Sequence, residues 1–202
     1  HCMRNKGQSE TLKPKSLILI LGAFDLDNHY ENGRITVSPS EIIINAGWDP
    51  FAERFDDDIA ILVLEFHLTF SKFIRPICTT SEDFGINDGT VVGWGKVDKA
   101  VKDLKNIPRK LEMPIVSDGD CYRENIYLAA IAWSRSFCAG RPGVGVCRGD
   151  SGGGFFVIHE NRYYFRGLVS SSITAETGCY TENYAVYTDV AKYFNFIGVP
   201  QT

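Results

Sequence analysis

The run Gly149-Asp150-Ser151-Gly152-Gly153 sets one hydroxyl among glycines and beside a carboxylate. A serine hydroxyl is a poor nucleophile at neutral pH and needs an adjacent base. Glycines beside it let backbone N–H groups turn inward, where they stabilise negative charge developing on a carbonyl oxygen. Taken alone, the run also fits a tight turn. The chain has 4 histidines that could supply a base. His29, His67 and His159 read as surface or turn residues with no chemistry assigned to them, and His1 opens the sequence beside Cys2. Asp58 closes the acidic cluster Asp56-Asp57-Asp58, by itself a solvated turn, and opens Asp58-Ile59-Ala60-Ile61-Leu62. No closely spaced Cys/His set points to zinc.

Short strands with polar turns must position these groups. Ser16 to Leu21, Glu41 to Asn45, Ile59 to Leu64 and Thr90 to Trp94 are β-branched or leucine-rich runs. Phe155 to Ile158 and Tyr163 to Ser170 form a hairpin around His159-Glu160-Asn161-Arg162. Such a pattern predicts an all-β barrel or sandwich. Helical spacing appears in two places, Asp118 to Tyr127 and Val190 to Ile197.

A length of 202 residues buries a real core. The composition, 44% hydrophobic with a net charge of -4, argues against disorder and gives no electrostatic reason to expect nucleic acid or an anionic membrane. The apolar run Ser16 to Gly22 is too short to span a bilayer. The 6 cysteines permit three disulfides, and spacing alone does not assign them.

Further segments appear in order along the chain: His1-Cys2, Gly93-Trp94-Gly95, Met113-Pro114-Ile115-Val116 and Phe137-Cys138-Ala139-Gly140. With the Asp58 and Ser151 runs they make the whole chain resemble the trypsin/chymotrypsin-like serine proteases, in particular the protease domains of secreted invertebrate cascade enzymes. The resemblance implies an all-β fold of two six-stranded antiparallel β-barrels, with the site in the cleft between them. It makes 1–202 one peptidase domain that joins the family partway through the first barrel. Residues 1–83 are then the remainder of that barrel, incomplete at its N-terminus, and 84–202 the second barrel with a short C-terminal helix.

Roles follow from the same resemblance, for which the Ser-His-Asp constellation is the type example. Ser151 is the nucleophile, His1 its base and Asp58 the carboxylate that orients the imidazole. The amides of Gly149 and Ser151 form the oxyanion hole. Ser170 lies beside Asp58 and the substrate main chain. The disulfides implied are Cys121–Cys138 and Cys147–Cys179, each contributing about 3 kcal/mol by loop entropy. In the family Cys2 pairs with a cysteine upstream of the catalytic histidine; the alternative is that Cys2 and Cys78 bond each other or stay reduced. In the family Cys78 links the domain to an upstream prodomain or light chain. Asp150 makes the activation salt bridge with an α-amino group released by zymogen cleavage. With no such group in this chain, the buried carboxylate is expected to lack a partner and to leave its loop disordered.

Specificity is read six residues before the nucleophile, where arginine- and lysine-cleaving members carry aspartate. Here Gly145 stands there, and burying an unpaired cationic side chain would be expensive. Val146 keeps the slot apolar, and Ser172 and Ala185 match wall positions commonly held by glycine. A small or medium apolar residue before the scissile bond is expected. Ala23 stands where calcium-binding members have glutamate, so neither metal nor cofactor is expected. The resemblance implies a secreted serine endopeptidase acting on a protein or peptide substrate through an acyl-enzyme, with a serpin-type inhibitor as a further partner. The alternative is a catalytically inactive homologue that serves as a binding or cofactor protein.

Overall fold

A computed structural model describes residues 1–96, 106–172, 174–175, 178–179 and 183–198. Two small antiparallel sheets come first. Strand β1 (Leu19–Leu21) pairs with β2 (Ile35–Val37), and β3 (Pro39–Ile44) pairs with β4 (Ala60–Leu64). Then follow β5 (Asp88–Gly93), β6 (Arg109–Val116), β7 (Ser136–Ala139), β8 (Gly154–His159) and β9 (Arg162–Ser172). A minimal pair, β10 (Thr174–Ala175) and β11 (Gly178–Cys179), precedes β12 (Ala185–Asp189). The order β12-β7-β6-β5-β8-β9 closes into one barrel.

Two six-stranded barrels are therefore not present: among the described residues there is one, and the first half forms two-stranded sheets instead. Closure needs every strand to be paired along both edges. Strands β1 and β2 have three residues each and a single partner each. Between them the chain is held in turns, not in further strands. The Asp27 amide donates to Asp25 Oδ1 at 3.0 Å, and the Arg34 guanidinium donates to the carbonyls of Asp25 and Asn28, each at 3.0 Å.

The barrel owes its stability to residues that alternate inward. In β8, Phe155 and Val157 are buried whereas Ile158 is exposed, as a two-residue side-chain period requires. Phe155 meets the rings of Phe137 and Tyr187 edge-on, and those two stack on each other at 5.3 Å. A Cβ at Gly89 would overlap the Phe155 ring, so the absence of a side chain there admits the aromatic cluster. Burial, with the Asp150 charge, pushes the Tyr187 hydroxyl far above the usual phenol range.

A second cluster (Cys121, Leu128, Trp133, Cys138 and Val186) packs helices against β7 and β12. The expected helix over Asp118 to Tyr127 is divided into α1 (Asp118–Glu124) and α2 (Ile126–Ile131). Asn125 is extended, and its side chain accepts from the Tyr127 amide at 3.0 Å, capping the second helix instead of continuing the first. At the end of the barrel, Asp189 caps a 3₁₀ turn over Val190–Tyr193, which runs into α3 (Phe194–Ile197). The segment between Ser170 and Cys179 includes residues 173, 176 and 177, which lie outside the described residues.

Candidate active site

Asp58 leaves an unusual turn. Asp57, just before it, has φ 57°, a left-handed backbone that is uncommon outside glycine. Its carboxylate is held by the Tyr193 hydroxyl at 2.9 Å and by Arg135 at 2.7 Å. Both partners come from the far half of the chain. The Thr188 hydroxyl of β12 adds a bond to the Asp58 carbonyl at 3.0 Å. The turn is thus docked on the barrel, and Asp58 is 6% exposed.

Two donors converge on one oxygen of that carboxylate. The Ser170 hydroxyl of β9 donates to Asp58 Oδ2 at 2.6 Å, and His1 Nδ1 lies 2.6 Å from the same atom. The His1 α-amino group is ion-paired with Oδ1. An imidazole with Nδ1 committed to a carboxylate points Nε2 away from it. Phe55 meets the His1 ring edge-on at 5.7 Å and packs in turn on Trp48, whose indole N–H donates to the Arg4 carbonyl at 3.2 Å. Those rings form the outer wall behind the histidine.

Ser151 is exposed on the loop that closes against this pair. Gly149 and Gly152 have φ of 96° and 76°, values open to glycine and strained for other residues. The Asp150 amide donates to the Cys147 carbonyl at 2.9 Å and the Gly152 amide to the Val169 carbonyl at 2.8 Å. Cys147 is bonded to Cys179, and Cys121 to Cys138; Cys2 and Cys78 are free. A cavity of about 180 Å³ is lined by His1, Cys2 and Asp58 on one side and by Gly152, Leu168 and Val169 on the other. Among the described residues, no hydrogen bond joins His1 to Ser151 directly.

The sequence matches the family model Trypsin over residues 1–197. The chain belongs to the trypsin family. This trypsin-family chain is 27% identical to serine protease gd of Drosophila melanogaster, over 98% of its own length and 44% of that protein. It is 29% identical to trypsin-1 of Astacus astacus over 91% of its length and 75% of the relative. Transmembrane protease serine 11G of Rattus norvegicus is 34% identical over 72% of the chain, which spans 35% of that protein. The assignment places the chain in the trypsin/chymotrypsin-like class of serine endopeptidases. No helix among the described residues is long and apolar enough to cross a membrane.

Electrostatics of the family site follow from its burial. Burial opposes a charged His1, but the hydrogen bond and charge of Asp58, with smaller help from Cys2, outweigh it and push the imidazole up to about 10.

The remaining predicted positions divide. Ser172 and Ala185 face each other across the β9–β12 ladder, so the structure brings these two together. Val146 is 4% exposed and packs in the barrel core beside Phe155 and Tyr187 instead of lining an open slot. Gly145 is buried next to it. Asp150, expected to lack a partner, has three donors. The Gly95 amide reaches Oδ1 at 2.9 Å, while the Cys147 amide at 3.0 Å and Arg109 Nη2 at 3.4 Å reach Oδ2.

Sequence reasoning missed Asp57, Arg135, Thr188 and Tyr193, which position Asp58, and also Arg109. Only Thr188 carried a local signal: it sits in the apolar run Ala185-Val186-Tyr187-Thr188, where a hydroxyl at a buried position requires a partner.

Proposed function

We propose that this chain is the peptidase domain of a secreted serine endopeptidase, with residues 1–202 acting as one unit. Ser151 Oγ attacks the substrate carbonyl carbon and passes its proton to neutral His1 Nε2. The oxyanion of the tetrahedral intermediate is held by the amides of Gly149 and Ser151. Collapse expels the amine, which takes the proton from His1 and leaves an acyl group on Ser151. Water then attacks the ester with His1 again accepting the proton, and the carboxylic product leaves as Ser151 recovers its hydrogen. Asp58 keeps Nδ1 protonated throughout and stabilises the imidazolium.

One observation carries this reading: Ser170 and His1 Nδ1 meet on the same oxygen of buried Asp58, on the wall of the cleft bordered by the Ser151 loop. Gly145, which offers no charge for a cationic side chain, favours cleavage after a small or medium apolar residue, with Ser172 and Ala185 narrowing the slot. Substrates are proteins or peptides, Cys78 is the link to an upstream prodomain or light chain, and a serpin-type protein is the inhibitor.

Fluorophosphonate labelling tests the proposal. Covalent labelling that disappears in Ser151→Ala is the expected result, together with cleavage of leucine or valine peptides ahead of lysine and arginine peptides. A folded chain that shows no Ser151-dependent labelling would sink it.

A further inference from the structure

The aromatic wall behind His1 hangs from a loop with little structure of its own. Between β3 and β4, residues 45–59 run in turns and carry both Trp48 and Phe55. Neither the Ala52 nor the Arg54 carbonyl of that loop accepts a bond from a backbone amide among the described residues. Both accept instead from the Lys6 ammonium. The same ammonium lies over two rings, 4.5 Å from the centroid of Phe55 and 5.2 Å from that of Trp48. Charge-assisted hydrogen bonds are the stronger kind, and the faces of aromatic rings attract a cation. Burial holds the ammonium below the ordinary lysine range, against the pull of Asp49, Asp58 and Asp56.

Two further bonds bring Lys6 to this place. The Gly7 amide donates to the Pro50 carbonyl at 2.7 Å, and the Trp48 indole N–H to the Arg4 carbonyl at 3.2 Å. These hold the near end of the loop, whereas Lys6 reaches its far end, next to Phe55. The Phe55 ring stands edge-on to the His1 imidazole, with 85° between their planes. Asp58 fixes that imidazole at Nδ1, a point about which the ring can still turn, and the Phe55 edge limits the turning.

We infer that Lys6 is a positioning residue for His1: by holding the Ala52 and Arg54 carbonyls it sets the Phe55 ring, and that ring sets the orientation of the imidazole. This rests on the proposed hydrolysis for the role of His1 and goes beyond it by giving control of the imidazole to a lysine outside the Ser-His-Asp set. Rotation of the imidazole about Nδ1 would carry Nε2 away from the hydroxyl whose proton it takes.

The test uses the full chain in five forms: unaltered, Lys6→Met, Lys6→Arg, Phe55→Leu and the double variant Lys6→Met with Phe55→Leu. Two quantities are read at a single pH, the rate of fluorophosphonate labelling at Ser151 and the NMR shifts of the His1 ring protons, which sense the Phe55 ring. Lys6→Met keeps an apolar stem and removes the charge. It is expected to slow labelling about tenfold, short of the roughly 10²-fold cost of displacing a reacting group by about 1 Å. The His1 shifts should move toward those of Phe55→Leu, and Lys6→Arg should restore both readings, the rate to within a few fold. In the double variant the two losses should not multiply, because residues that act through one set of contacts are not additive. Labelling or His1 shifts unchanged in Lys6→Met, or losses that multiply in the double variant, would overturn the inference. If Lys6→Met does not fold, Lys6→Gln takes its place, and failure of both to fold overturns it, because the lysine then supports the fold and not the wall. Absence of Ser151 labelling in the unaltered chain would defeat the enzymatic reading alone, and the His1 shifts still decide the role of Lys6.

Discussion

Ser170 and Asp58 lie 112 positions apart in sequence and share a hydrogen bond of 2.6 Å, donated by the Ser170 hydroxyl to the carboxylate. A bond from a buried hydroxyl to a charged acceptor is among the stronger kinds, worth about 1.5–3 kcal/mol. Ser170→Ala removes it and leaves Asp58 Oδ2 to His1 alone. Labelling of Ser151 is expected to fall about tenfold with a lowered melting temperature, and Ser170→Thr should recover part of the loss. An alanine variant equal to the unaltered chain in both measurements would remove Ser170 from the site.

The His1–Asp58 pair predicts opposite pH trends for stability and reactivity. The folded imidazole is raised from 6.5 to about 10. Its contribution to stability is fully present below pH 6.5 and is lost as pH climbs toward 10, because the folded state holds a proton that the unfolded state has released. A general base must be neutral, so labelling should rise through the same interval. Melting temperature and labelling rate measured from pH 6 to pH 10 check both trends. Asp58→Asn should shift the rise in labelling to lower pH while reducing its ceiling by about 10³–10⁴-fold.

Gly89→Ala would place a methyl group into the Phe155 ring, which is fully buried between Phe137 and Tyr187. Overpacking of this kind costs about 1–3 kcal/mol. Urea unfolding of the variant should show that loss with an unchanged slope. Because Gly89 lies in the barrel away from the Asp58 turn, the labelling rate of the folded fraction should stay near that of the unaltered chain.

Glu160 and Asn161 turn the β8–β9 hairpin with φ of 46° and 61°, and His159 pairs with Arg162 across the ends. Two-residue hairpin turns favour positive φ at both central positions, which suits asparagine and glycine. Glutamate is the misfit. Glu160→Asn should stabilise the chain by about 0.5–1 kcal/mol without altering the site, measurable as a raised melting temperature.

The legible parts of the molecule are those whose chemistry demands a local pattern. The hairpin could be read because Phe155, Val157 and the polar residues between the strands alternate or cluster within a few positions. The Ser151 loop could be read because its backbone requires glycines at Gly149 and Gly152. Closure was different. Leu19–Leu21 and Ile35–Val37 are strands, as their apolar character predicted for the first of them, but nothing in an apolar run states how many partners it has. The helix over Asp118 to Tyr127 was broken by the one residue, Asn125, whose side chain competes for backbone donors. Arg109 escaped notice for a similar reason: a basic residue following proline looks like any solvated charge until the strand register sets it opposite Gly93.

The turn bearing Asp58 belongs by sequence to the first half of the chain but takes its bearings from the second, through Thr188, Ser170, Tyr193 and Arg135. Tolerance to change should accordingly be unequal. Substitutions in β1 or β2 that loosen that small sheet leave the four anchors untouched, so the acid end of the site keeps its place. A substitution at Thr188 or Tyr193, far from Asp58 in sequence, shifts it directly. Outside the Ser-His-Asp set and the loop glycines, a library of variants screened for reactivity would therefore find damaging positions near residues 188–193, in a strand and a 3₁₀ turn.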